Sequence, residues 1–594
     1  MSHSEYNDSN YQKIFIKTKS YLKSGRTLSR VLNFAINFAC EAYTRGIVPR
    51  FFDKKSISYS KESLEISNDF DADISNYTVI SFDVFDTLLL RLIEPGFPFF
   101  YALEKKYSLA GFAKERINAE NRARNLNGGK EITLKEIYKT IIPKYEYALS
   151  KELEFEELLV YPNPELIKFF NKCKSQGKRV IAVSDMYLSK NFVEKLLNKS
   201  GFYFDKVYVS SDLCKTKAKG DLFEYVKGIE NSKILHIGDN FKSDVLMAQQ
   251  KGVDAILYKN TRKIPFYIDN PSKLSERVHN GLLLSKGRIS NFYKKIGYVF
   301  GGPIALAYVN FLQKEYEKNN LDLLILTARD GWCIQKILEE YFPNIKTQYV
   351  YLNRIVGIRA LCEWCDNPKY LKLLLSLYKE KIPDIEVTSD YVKNKREFEK
   401  FKKTILREAV SYREALYRHL CEASKGAQRI GLVDVTTSSF SSYIFSKCLL
   451  GSKVKTAFFL LTYVNKADEY IYQTFKVDEM EIGTKYVVEL LELLISSPEY
   501  PVRAYENGTP VYAPSGDRQR EQLYSLIFEG ICEYISDFTS RFGWHRELMF
   551  TAEDWISYTQ NSLSKFTTED LKLFELMSFS SEPDGSTNAH SVLG

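Results

Sequence analysis

The chain has 594 residues, room for about four domains at average size or for two or three large ones. Hydrophobic residues make up 44% and aromatics 14%, enough for sizeable cores, which excludes a disordered chain. The 83 Lys and Arg residues are nearly balanced by 75 Asp and Glu and are spread along the sequence, so the concentrated basic face with interleaved aromatics that nucleic acid requires is not seen.

In chain order, residues 1–75 are expected to form a helical leader. Within it, residues 31–48 are apolar on one face and flanked by Lys23, Arg26, Arg30, Arg45 and Arg50. That pattern fits a helix docked on the core, with a peripheral contact at the inner face of a membrane as the alternative. From 76 to 265, short apolar runs alternate with helical patterns, as in a parallel α/β sheet. The strands fall near Val79–Phe82, Arg179–Val183, Lys206–Val209, Lys233–Ile237 and Ala255–Tyr258. Residues 93–160 are too long for an ordinary crossover and are expected to form a helical cap.

Residues 266–510 read as a second, Rossmann-like α/β region, with strands at Leu323–Leu326, Thr347–Tyr351, Ile430–Val433 and Thr456–Leu461. A helical C-terminal region is expected over 511–580, then a disordered tail over 581–594. The polar start shows no signal-peptide pattern, and the apolar passages fall short of the ~20 residues that span a bilayer. Nine scattered cysteines, an odd number, point to reduced thiols in a cytoplasmic chain. Cys362 and Cys365 form a lone C-x-x-C with no second ligand pair nearby, so a zinc site is not expected. Basic runs such as Lys393-Asn394-Lys395-Arg396 read as a solvated helix face.

The chemistry gathers at the strand ends of the first α/β region. Asp83-Val84-Phe85-Asp86-Thr87 follows the first strand, and Ser184 and Asp185 follow the second. Lys215, Lys217 and Lys219 lie further on, and Gly238-Asp239 with Ser243-Asp244 follows a later strand. In an open parallel sheet the carboxyl ends of the strands meet in one crevice. A carboxylate nucleophile, oxygen ligands for a hard cation, a lysine and hydroxyls are the set that phosphoryl transfer uses.

These four segments, in this order, resemble the haloacid dehalogenase (HAD) superfamily. The resemblance implies a HAD-like Rossmannoid parallel sheet with a helical C1-type cap, followed here by the second α/β region. It implies Asp83 as nucleophile, with Thr87, Ser184, a lysine and Asp244 as its catalytic partners. It implies Mg2+ held by Asp83, Asp239 and the main-chain carbonyl of Phe85. The family's lysine often stands six residues before a phenylalanine; counting back from Phe223 selects Lys217, with Lys219 second. The implied activity is that of a phosphatase or phosphotransferase working through an aspartyl-phosphate on a phosphorylated small molecule or sugar.

The match departs in one place. Most HAD phosphatases carry a general acid two residues after the nucleophile, where this chain has Phe85. Asp86 stands one step further, where it is expected to stabilise the turn through local backbone bonds. A catalytically weak or inactive scaffold is therefore the alternative. The stretches "FDVFDTLLLR", "SDMYLS", "GDNFKSD" and the cap segment "FAKERINAENRAR" resemble a subgroup of large proteins associated with bacterial capsule, O-antigen and surface-glycan synthesis, which implies glycan-assembly proteins as partners.

Two stretches of the second region put polar groups where a strand runs into a helix: Arg329-Asp330-Gly331 and Asp434 with the hydroxyls that follow. Arg329, Asp330 and Asp434 are a candidate second ligand site, an arginine for a phosphate and carboxylates for sugar hydroxyls.

Overall fold

The computed structural model describes residues 70–575, apart from 129, 261–263, 366–367, 438–440, 463–471, 475–484, 507–508 and 513–518. The leader up to residue 69 and the tail over 581–594 lie outside the described residues.

The protein is α/β with two parallel sheets and further helical regions. Strands β1 (Val79–Phe82), β4 (Arg179–Ser184), β5 (Lys206–Val209), β6 (Ile234–Gly238) and β7 (Asp254–Leu257) form the first sheet in the order β5-β4-β1-β6-β7. Phe82 pairs with Ala182 on one side and Ile237 on the other, so β1, β4 and β6 leave the sheet at the same edge. The chain runs from β1 toward β4 and from β6 toward β7, in opposite directions. The crevice between β1 and β6 is therefore the switch point of the sheet, where open α/β sheets bind ligands. β1 reads Val-Ile-Ser-Phe and is fully buried, as expected of a strand covered on both faces.

A short antiparallel pair that periodicity does not reveal, β2 (Leu89–Arg91) with β3 (Val160–Pro162), brackets the cap helices Phe97–Lys106, Phe112–Leu126, Leu134–Thr140 and Ala148–Leu159. Three residues per strand are too few for a period-2 pattern to show. Inside the cap, buried Arg116 pairs with Glu152 through two 2.8 Å hydrogen bonds, and the Tyr138 hydroxyl donates to the same carboxylate at 2.9 Å.

The second sheet contains β8 (Leu323–Thr327), β9 (Thr347–Val350), β10 (Ile430–Thr437), β11 (Val454–Thr462) and β12 (Tyr472–Thr474), in the order β12-β11-β10-β8-β9. A hairpin of β13 (Val502–Glu506) and β14 (Thr509–Tyr512) follows, so residues 509–512, placed by the sequence at the helix boundary, are extended. Helices Arg520–Phe542 and Ala552–Leu563 then pack back on the rest of the chain.

One hydrophobic core joins Phe82 of β1, Phe155 of the cap, Leu306, Leu326 of β8 and Tyr534. Gly281, in helix Leu274–Lys286, lies so close to the chain after β2 that a Cβ would stand 1.9 Å from the Leu92 carbonyl oxygen. Among the described residues one helical stretch, Phe292–Lys318, is long and apolar enough to cross a membrane, and 89% of its apolar window is buried inside the protein. It is part of that core, together with the helices that follow residue 520.

Candidate active site

Asp83 is the first residue after β1 and is held at the sheet edge by its own N–H, which donates to the Ile237 carbonyl at 2.8 Å. The chain then turns tightly: the N–H groups of Leu88 and Leu89 both donate to the Val84 carbonyl, at 2.9 and 2.8 Å. This returns Thr87 to Asp83. The Thr87 hydroxyl donates to Asp83 Oδ2 at 3.0 Å and lies 3.4 Å from Asp239 Oδ1. The Thr87 carbonyl is fixed from behind by Asn163 Nδ2 at 2.7 Å.

The lysine selected by spacing is the one that reaches this point. Buried Lys217 contacts Asp83 Oδ1 and, at 2.6 Å, Asp244 Oδ1. Its backbone is anchored too: the Asp185 carboxylate accepts the N–H groups of Lys217 and Ala218 at 2.7 and 3.2 Å. Ser184, the last residue of β4, is buried beside β1. The Asp83, Asp239 and Asp244 carboxylates each offer an oxygen, and these oxygens all lie within 4.8 Å of one another.

Three carboxylates around one ammonium leave the cluster short of positive charge. Burial pushes the Asp83 carboxyl up, opposed by Lys217 and reinforced by Asp244. Burial, then the charges of Asp83 and Asp244, push Asp239 up to about 6. Asp244 goes the other way: burial is outweighed by Lys217 and His236, which hold it well below the usual carboxylate range. Burial also works against the Lys217 charge, but Asp83, Asp244 and Asp185 outweigh it and keep the ammonium protonated.

Phe85 and Asp86 diverge as a one-residue step on a tight loop requires. Phe85 is buried under the Arg91 guanidinium, which sits 4.2 Å from its ring centre. Asp86 has a φ of 60°, a left-handed conformation that Asp tolerates better than most residues. Its backbone N–H donates to the Leu89 carbonyl at 2.8 Å, whereas its half-exposed side chain points to Arg91, 3.8 Å away. The turn is thus stabilised by the backbone of Asp86, not by local bonds of its carboxylate. Arg91 is itself bound by Glu156 of the cap at 2.7 Å.

Sequence reasoning passed over Ser81, His236 and the Arg91–Glu156 pair. His236 and Ser81 each left a signal, as the lone polar residue in the apolar runs of β6 and β1.

In the second sheet the chain leaves β8 and β10 in opposite directions; Asp330 follows the end of β8, whereas Asp434, expected just past its strand, lies within β10, one residue beyond the last pairing with β8. Burial, and then the Glu492 charge, push Asp330 well above the usual range; burial raises Asp434. Arg329 lies beside Asp330. Thr436 to Ser439 contribute no described side chains. Among the described residues, the Asp83 cluster is the one group of three or more metal-ligating side chains close enough to share an ion.

Residues 77–252 match the family described as haloacid dehalogenase-like hydrolase. That stretch carries the first sheet through β6, the cap and every residue of the Asp83 cluster. Similar solved structures include a 2-haloacid dehalogenase from Pseudomonas syringae, 15% identical over 31% of this chain and 86% of that one, with a TM-score of 0.26. A predicted phosphoglycolate phosphatase from Haemophilus somnus is 15% identical over 31% and 86%, at a TM-score of 0.24. The putative HAD-hydrolase YfnB from Bacillus subtilis, bound to magnesium, is 21% identical over 30% and 87%, at 0.24. No curated protein matches the chain.

Proposed function

We propose that this protein is a Mg2+-dependent phosphatase or phosphotransferase acting through an aspartyl-phosphate on a phosphorylated sugar or glycan intermediate. The observation that carries the reading is the convergence of Asp83, Thr87, Lys217, Asp239 and Asp244 at the switch point of the first sheet. The donor set suits a hard divalent cation: the carboxylate oxygens lie close together, and the raised Asp239 marks negative charge that Lys217 alone does not offset. Asp83, Asp239 and the Phe85 carbonyl would hold the ion, which when bound neutralises charge on the phosphoryl group.

The residues of the chain perform the rest. A carboxylate oxygen of Asp83 forms the bond to phosphorus as the bond to the leaving oxygen breaks. Lys217, Thr87 and Ser184 face the phosphoryl oxygens and stabilise the charge that builds there. Water then cleaves the acyl phosphate, or an acceptor hydroxyl takes the phosphoryl group. Phe85 has no proton to give to the departing oxygen, so turnover is expected to be slow for ordinary alkoxide leaving groups.

Phe85, shielded by Arg91, also supports a second reading, a binding scaffold for surface-polysaccharide assembly that has lost acid catalysis. Phosphate release from a panel of sugar phosphates, with Mg2+ or chelator, separates the two. Release that vanishes both with chelator and in Asp83→Asn supports the enzyme. Ligand binding without release, unchanged by Asp83→Asn, sinks it.

A further inference from the structure

β6 reads Ile234-Leu235-His236-Ile237-Gly238, and His236 has no exposure to solvent. An imidazole in the middle of a central strand needs partners for both ring nitrogens. It has them: Nδ1 lies 2.8 Å from Ser81 Oγ of β1, and Nε2 lies 3.4 Å from Asp244 Oδ1. A carboxylate only accepts, so Nε2 carries the hydrogen. The Ser81 hydroxyl, which can donate or accept, pairs with Nδ1. The Phe223 ring, edge-on with its centre 4.8 Å from that of the imidazole, packs against it.

The same Asp244 Oδ1 receives Lys217 Nζ at 2.6 Å, and Oδ2 receives the Asn240 N–H at 2.9 Å. Lys217 continues the line to Asp83. Asp244 has two possible duties, because its carboxylate is also close enough to Asp83 and Asp239 to join a cation site. The His236 hydrogen bond holds Oδ1 on the side of the lysine.

We propose that His236, oriented by Ser81, is a positioning residue that commits Asp244 to Lys217 and thereby sets where the ammonium meets the phosphoryl group. The proposal rests on the reading of Asp83 as the nucleophile. An outer partner of this kind commonly contributes about 10- to 100-fold to activity or metal affinity. His236→Phe keeps the ring volume but removes the donor. It is expected to lower kcat for Mg2+-dependent phosphate release by about 10- to 100-fold with KM nearly unchanged. His236→Gln, whose amide can still donate to Asp244, is expected to recover most of the loss, a rescue that a filler of space would not show.

Ring 15N resonances supply a readout besides turnover. The wild type should show the Nε2–H tautomer, and Asp244→Asn should shift the His236 signals. Unmoved signals overturn the contact. Wild-type kcat in a folded His236→Phe, or no rescue by glutamine, overturns the positioning role alone. If His236→Phe does not fold, Ser81→Ala, which leaves the ring in place, carries the kinetic test: slower turnover is expected, and unchanged kcat overturns the role. A wild type that releases no phosphate from any sugar phosphate overturns the phosphoryl-transfer reading and this role with it.

Discussion

Asp83, Asp86 and Asp239 stand in similar sequence surroundings, yet each has a different physical situation. Asp86 occupies left-handed backbone with its side chain turned to Arg91. Asp86→Ala is expected to cost about 1 kcal/mol in chemical denaturation, from backbone strain, while phosphate release persists. Loss of release without loss of stability would instead make Asp86 the missing acid. Burial, then its carboxylate neighbours, push Asp239 up to about 6. A carboxyl raised by folding favours the folded state below its ordinary range, and that contribution is lost as pH rises through about 6. A cation must expel the proton of that carboxyl. Mg2+ affinity by calorimetric titration should therefore rise by up to about tenfold per pH unit toward 6 and level off above it.

At the scale of elements, the cap is organised around an ion pair as well as an apolar core. Arg116 is fully buried, bound by Glu152 and packed near the rings of Phe100 and Tyr187. Removing one partner of such a pair is costly, but Arg116 keeps Glu120 at 3.1 Å, so Glu152→Ala should cost about 3 kcal/mol, the low end for a buried pair, in the free energy of unfolding by denaturant. Replacing the pair by apolar residues of similar volume should cost far less. The hinge of the cap, β2 with β3, is tied on one side to Thr87 through Asn163 and on the other to helix Leu274–Lys286 through the Gly281–Leu92 contact. Arg277 of that helix is ion-paired with Glu94 at the start of the cap.

At the scale of the whole molecule, the cap has two neighbours, the first sheet and the helices beyond residue 265. Phe155 of the cap and Phe542 of the long C-terminal helix lie 6.3 Å apart, centre to centre, within the shared core. A chain ended at residue 265 would uncover that face. It is expected to bind the dye ANS and to associate, where the full chain does neither; a monomeric fragment with low dye binding would show that the first sheet and its cap stand alone. The same packing explains why the apolar stretch around Val299–Leu312 is buried between layers of protein.

How much of this was legible follows from where each signal resides. The strand ends, the order of Asp83, Ser184, Lys217 and Asp239, and the insertion of a helical cap were readable because they depend on local periodicity and on the edge where parallel strands end. The resembled family's motif, counted back from Phe223, points to Lys217, and Lys217 is the lysine that meets Asp83. The direction of the Asp86 side chain was not, because one φ angle on a tight loop decides it. Nor was the Ser81–His236–Asp244 line, whose members are brought together by the register of β1 against β6. The sequence by itself determined the kind of sheet and the set of groups at its edge, since burial patterns and strand ends are local properties. Tertiary structure alone decided how Asp83 meets the lysine and which distant helices close over the cap, because contacts between residues more than about 130 positions apart leave no local trace.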